Sequence, residues 1–313
     1  MIQSPEDPPE RPDAIETDLP AEEVDTRAPD RRLVSGSPTA EEDPQVQYAL
    51  HAARLHARLL REGGVDLVGV YLAGSAALGD RWPHSDIDTY TVVRSVADLE
   101  SANPGLLVRV HDQMATEFAG TCYDTTYLEY GWLSDPPTDH PTAPVTLLGV
   151  LTVDVPAGIT PVNWLELATS ITADGEPVAD LPISVDLDQV ASYTRANLSS
   201  YWAEYGERLG AAAADKPADA PLTNSYPVVW TVLGAPRLAA MLDRVQRAAP
   251  GEVPQLVSKT EAGDWVRTHL PEHADLAERA LAERHGRPAS FTVADAASAS
   301  RLVTEVIMVA NSR

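Results

Sequence analysis

The chain has 313 residues and one cysteine, Cys122, so no internal disulfide can form. A thiol-poor composition fits a reducing compartment, and the expectation is a cytoplasmic protein. Long hydrophobic runs are also missing. None reaches the ~18 to 20 apolar residues that a membrane-spanning helix needs. The first residues are acidic and proline-rich, unlike a signal or transit peptide. Positive charge is scarce: 23 Lys and Arg stand against 47 Asp and Glu, a formal net charge of −24. Such a surface repels phosphate backbones and argues against broad nucleic-acid binding; it suits a cationic partner or good solubility. Lysine is nearly absent, with only Lys216 and Lys259 against many arginines. GC-rich coding or a salty habitat produces such a bias, and a lysine that survives it carries more information than usual.

What is present is an ordinary folding composition, 44% hydrophobic, in a chain long enough for about two domains. Residues 1–44 are rich in Pro, Glu and Asp and lack a hydrophobic period. They cannot bury enough surface to offset their ordering entropy, and a disordered tail is expected there. Val46, Leu50, Ala53, Leu55 and Leu59 recur at helical spacing, which predicts a helix over 45–62 that stops at Gly63-Gly64. Residues 66–73, 86–93 and 122–129 read as strands, 95–118 as partly helical, and 145–155 as a strand or the start of a helix. After Pro161 the texture becomes helical over 162–173, 187–209, 227–247, 259–270, 272–285 and 293–310, with breakers such as DGEP, DKPADAP, APGEVP and HGRP between. The expected architecture is α+β: a mixed sheet with flanking helices over 45–160, then an all-helical domain over 161–313.

One stretch carries chemistry. Residues 71–93 read YLAGSAALGDRWPHSDIDTYTVV, in which an apolar run meets Gly74-Ser75, ten residues intervene, and Asp86-Ile87-Asp88 leads into a second apolar run. Side chains two apart on a strand share a face, so Asp86 and Asp88 project together while Ile87 turns to the core. Adjacent carboxylates repel unless something neutralises them, and Mg²⁺ does so through carboxylate and phosphate oxygens. Gly74-Ser75 adds backbone N–H groups, a hydroxyl and the start of a helix, all suited to an anion. Singly, a Gly-Ser is a turn and a D-x-D is a solvated loop or a cap; together, in this strand context, they describe a site for a metal-bound triphosphate.

This stretch resembles the active-site signature of the nucleotidyltransferase (polymerase-β-like) superfamily, in particular the antibiotic nucleotidyltransferases. Residues 228–270, with V-L-G-A-P-R-L and V-S-K-T-E-A-G-D-W, resemble the C-terminal helical domain of the streptomycin/spectinomycin adenylyltransferases. The two matches span most of residues 46–285. The resemblance implies that Asp86 and Asp88 hold two Mg²⁺ ions and that Gly74, Ser75 and Ser85 contact the phosphates of ATP. It also implies that Arg237 and Lys259 reach the triphosphate across a cleft. Lys259 also reads as the start of a capped helix, since S-K-T-E opens one, and Arg237 as part of a solvated helix face.

Two-metal transfer needs a further carboxylate near the attacking hydroxyl. The strand CYDTTYLE offers Asp124 in its middle and Glu129 at its end, on opposite faces; Asp124 is the choice, because a charge in mid-strand needs a partner. The streptomycin-type relatives carry Glu there, one methylene longer, so a metal-binding role survives the change better than that of general base. The expected reaction is transfer of AMP to a hydroxyl of a cationic small molecule of the aminocyclitol type. Trp164, Trp202, Tyr226 and Trp230 are candidates to line the acceptor cleft, although each also reads as a core aromatic. Where the relatives place an acidic drug-binding residue, this chain has Thr223-Asn224-Ser225-Tyr226-Pro227, with no carboxylate. Alternatives are nucleotidylation of a protein or another metabolite, and nucleotide binding without catalysis.

Overall fold

Asp43 accepts a hydrogen bond from the N–H of Gln45 and so caps helix α1, Pro44–Glu62, which has proline in its first turn. The computed structural model describes residues 43–82, 85–101, 103–136, 141–156 and 159–312. The expected tail lies outside them, apart from Asp43 and Pro44, which open α1. The chain continues through β1 (Leu67–Leu72), α2 (Gly74–Ala77), β2 (Ile87–Val93), α3 (Asp98–Ser101), α4 (Leu106–Glu117) and β3 (Tyr123–Glu129). Residues 145–155, open between strand and helix in the sequence, fall in a hairpin of β4 (Thr142–Leu147) and β5 (Val150–Pro156).

The sheet does not end at residue 160. Helix α5 (Pro161–Ala168) is shorter than expected, and Ile171–Gly175 forms strand β6, which pairs antiparallel with β1. A helical period over 162–173 misled because Ile171 and Ala173 contribute to the core from a strand edge. Among the described residues, six strands run in the order β5-β4-β3-β2-β1-β6. β2 and β3 are parallel and the other neighbours antiparallel.

The remaining chain is helical: α6 (Leu187–Asn197), α7 (Ala203–Ala214), α8 (Tyr226–Arg247), α9 (Lys259–His269), α10 (Ala274–Arg284) and α11 (Val293–Asn311). A π-helical stretch, Leu198–Trp202, joins α6 to α7 where one long helix was expected. These helices share a core that includes Val232, Trp265, Leu302 and Val306.

Strand parity sets what each face of the sheet does. Ile87 and Val93 of β2, with Tyr123 and Tyr127 of β3, pack under α1 and α4 against Leu60, Leu107 and Met114. Fully burying one such aliphatic side chain stabilises the fold by roughly 1.5–3 kcal/mol. Tyr90, Val92 and Leu128 lie on the other face against Trp164 and Leu167 of α5. Among the described residues, no helix is long and apolar enough to cross a membrane.

Candidate active site

Because β2 and β3 are parallel and in register, Asp88 lies directly beside Asp124. Both sit at even positions, on the face that α5 covers. Asp86 immediately precedes β2, and its charge raises the pKa of both Asp88 and Asp124. The three acids therefore meet at one place, the end of β2 and β3 where both strands begin. Glu129, the alternative third carboxylate, stands apart, accepting a hydrogen bond from the N–H of Val96.

Gly74 touches this cluster. It has φ of 59°, and a Cβ there would lie 2.0 Å from Asp88 Oδ2. Only glycine combines that backbone with so close an approach. Its N–H donates to Glu166 Oε1 at 3.2 Å. Ser75 follows in α2, and its carbonyl accepts from the N–H of Asp80 at 2.8 Å. Ser85 serves the loop between: its hydroxyl oxygen accepts from the N–H of Trp82, and its carbonyl accepts from Arg81.

Asp124 is buried, and both of its oxygens are held. Oδ1 accepts from the N–H of Gly149 at 2.8 Å and Oδ2 from that of Leu148 at 2.9 Å. These two residues form the β4–β5 turn, with φ of 52° at Leu148 and 73° at Gly149. Positive φ at both centres matches the twist of a two-residue hairpin, yet leucine adopts it at a cost. The strain is retained where both turn amides aim at the carboxylate. Burial pushes the Asp124 pKa up, the two amides pull it down, and Asp86 pushes it up again.

Glu166, which the sequence reading missed, joins the acids. Its Oε2 accepts from the Tyr90 hydroxyl at 2.8 Å, and the Tyr90 hydroxyl oxygen accepts in turn from Asn163 Nδ2 at 2.9 Å. Nothing in W-L-E-L marks a site residue, because Leu165 and Leu167 on either side are buried as in any amphipathic helix. Burial and the charges of Glu166, Asp124 and Asp86 together raise the Asp88 pKa to about 7, and Lys259 opposes them.

Lys259 is the first residue of α9, capped by Ser258 in a reciprocal box with Glu261. The capped helix start read from S-K-T-E is therefore present, and it fixes where the lysine side chain begins. Burial, then Arg284 and Arg237, lower its pKa to about 8, against the pull of Asp88 and Asp86. Its Nζ lies 5.3 Å from the centroid of the Trp230 ring, within cation–π reach. Arg237, on α8, lines a cavity of about 320 Å³ with Asn163, Tyr193 and Asn197.

The four aromatic candidates divide. Trp164 is core, its Nε1 donating to the carbonyl of Leu133. Trp202 is buried against Gly234. Tyr226, 48% exposed, stacks on Trp230 at 5.9 Å, and Trp230 stacks on Trp202 at 5.7 Å. The observed contacts are thus Lys259 over Trp230 and Tyr226 stacked on Trp230.

No protein-family model matches the chain, and no curated protein matches it. Among solved structures it is similar to the spectinomycin adenyltransferase AAD(9) from Enterococcus faecialis with ATP and spectinomycin. The TM-score is 0.56 at 14% identity, over 82% of this chain and 98% of that one. At that identity the likeness speaks for architecture, and the architecture is a nucleotidyltransferase-like α+β fold, with its mixed sheet and helical C-terminal region.

Proposed function

We propose that the chain transfers AMP from ATP to a hydroxyl group of a small molecule and releases pyrophosphate. The observation that carries this is the registered pair Asp88 and Asp124, crowded by Asp86 and Glu166, beside a glycine turn and facing Lys259. Burial, with the like charges of Glu166, Asp124 and Asp86 added to it, pushes Asp88 up to about 7, which describes a site short of positive charge. A divalent cation that prefers oxygen fits this donor set. Asp86, Asp88 and Asp124 are the residues to hold two Mg²⁺ ions, which when bound neutralise charge on the phosphoryl oxygens.

The chain's own groups have separate tasks. The Gly74-Ser75 turn brings backbone close to the phosphates, and Ser85 closes the loop behind it. Lys259 supplies a point charge and Arg237 a planar fork for the triphosphate. The acceptor oxygen forms a bond to the α-phosphorus as the bond to the β-phosphate bridge breaks. Pyrophosphate leaves with that electron pair, and the hydroxyl proton passes to the carboxylate cluster. Asp124, fixed by two amides, would hold a metal ion rather than swing as a base.

The likeness to a spectinomycin-modifying protein supports an aminocyclitol acceptor, and Tyr226 and Trp230 offer a cation a π surface. Incubation with α-phosphate-labelled ATP, Mg²⁺ and an aminocyclitol panel tests the reading. Label on the small molecule is expected. Label on protein alone points to the protein-modifying alternative, and Mg²⁺-independent ATP binding without transfer overturns the enzymatic reading.

A further inference from the structure

Asp80 lies five residues after Ser75, in the segment between the glycine turn and the paired acids, yet it bonds to the far end of the chain. Its Oδ1 accepts from the Thr260 hydroxyl at 2.6 Å, and its Oδ2 accepts from the N–H of Thr260 at 3.2 Å. Arg284 Nη2 donates to the Asp80 carbonyl at 2.7 Å and to Oδ2 at 3.3 Å. Both side chains of this ion pair are only 10% exposed. Next in the segment, Trp82 stacks on His285 with centroids 3.9 Å apart. The sequence separations are 180 and 204 residues, so this fastening joins the loop of the glycine turn to α9 and α10.

What it fastens gives the contact meaning. Thr260 is the neighbour of Lys259, and the Asp80 N–H is bonded to the Ser75 carbonyl. One residue thereby ties the phosphate turn by its main chain to the start of the lysine-bearing helix by its side chain. After burial, Arg284 lowers the Lys259 pKa more than Arg237 does, so Arg284 and Lys259 repel across this contact. The Arg284 Nε is buried with no hydrogen-bond partner among the described residues, and loss of the Asp80 carboxylate would take the acceptor from both Thr260 donors and leave an uncompensated cation beside Lys259.

We infer that Asp80 is a positioning residue, which sets Lys259 over the phosphate turn by clamping Thr260 and Arg284 to the Gly74-Ser75 segment. This rests on the nucleotide-site reading of Gly74 and Lys259. Burying a charged side chain between two parts of a fold is costly unless it is paired, as Asp80 is with Arg284.

The test is a double-mutant cycle on Mg²⁺-ATP affinity, measured by calorimetry on the full chain, with Asp80→Ala, Lys259→Ala and both together. Asp80→Ala is expected to raise the dissociation constant and the KM for ATP by roughly tenfold or more, with kcat changed much less. In the Lys259→Ala background the same substitution is expected to cost less than about twofold, because nothing remains to be positioned. Equal penalties in both backgrounds, or no penalty in either, overturn the inference. Should Asp80→Ala fail to fold, Thr260→Val, which removes one donor, runs the same cycle with the same criterion. Absence of Mg²⁺-ATP affinity in the wild type refutes the nucleotide-site reading itself, an outcome distinct from additive mutants of a protein that binds.

Discussion

Replacing Gly74 by alanine puts a methyl group where Asp88 already is. The new Cβ falls 2.0 Å from Oδ2, 2.7 Å from Cγ and 2.8 Å from Cβ of Asp88, so the aspartate must leave its rotamer and the backbone must shift slightly to free its Cβ. The backbone φ of 59° costs an L-residue roughly 1–2 kcal/mol. Driving Asp88 off its rotamer adds about 0.5–1.5 kcal/mol. The sum, ~1.5–3.5 kcal/mol, should lower the denaturation midpoint without changing m, because no new surface is exposed on unfolding. Gly79→Ala separates the two terms. Its φ is 65°, nearly the same, but nothing lies within 4 Å of the added Cβ, so only the backbone term applies. Urea melts of both variants, with Mg²⁺-ATP titrations alongside, measure the difference. Gly74→Ala should be the less stable of the two and should lose nucleotide affinity, while Gly79→Ala keeps it. Equal stability and equal affinity in the two variants would refute the close approach of Asp88 to the glycine turn.

Asp88 has a folded pKa of about 7, above its unfolded value, so metal-free protein is favoured below the unfolded pKa and loses that stability as pH rises through 7. Asp88→Asn should therefore stabilise the metal-free protein at pH 8 relative to pH 5.5, seen as the difference from wild type in chemical melts, while abolishing Mg²⁺-dependent transfer. Lys259 is charged only below about 8. The kcat/KM profile should accordingly fall above about pH 8, and its acid limb, near 7, should move lower as Mg²⁺ is raised. Beneath the sheet, Tyr127 bonds through its hydroxyl to His56 Nε2 and His111 Nε2, each at 3.0 Å. Tyr127→Phe leaves two buried imidazoles short of a partner and should cost roughly 1–3 kcal/mol in a urea melt, far from any effect on nucleotide affinity. His111, held near 4 by burial, contributes stability above its unfolded pKa that is lost as pH falls through about 4, so an acid melt should show that loss in wild type and less of it in His111→Gln.

The local geometry of the candidate site was legible because it is written in short spacings. Strand parity fixes that Asp86 and Asp88 share a face with Ile87 opposite, and the same parity turns Asp124 away from Glu129. Cap and breaker residues located α1, α8, α9 and α11 within a residue or two. Periodicity could not separate the β4–β5 hairpin from a helix, nor see that Ile171–Gly175 leaves α5 to become an edge strand, because pairing with β1 decides that. The fourth acid was hidden for the same kind of reason. Glu166 looks like the polar stripe of a helix, and it becomes a site residue only because α5 lies across β2, where the Gly74 amide and the Tyr90 hydroxyl meet it. Asp80 and Arg284 are separated by 204 residues, and no local pattern can pair them. Backbone periodicity dictates which way a side chain points; what it points at depends on how distant segments pack, and that the tertiary structure alone determined.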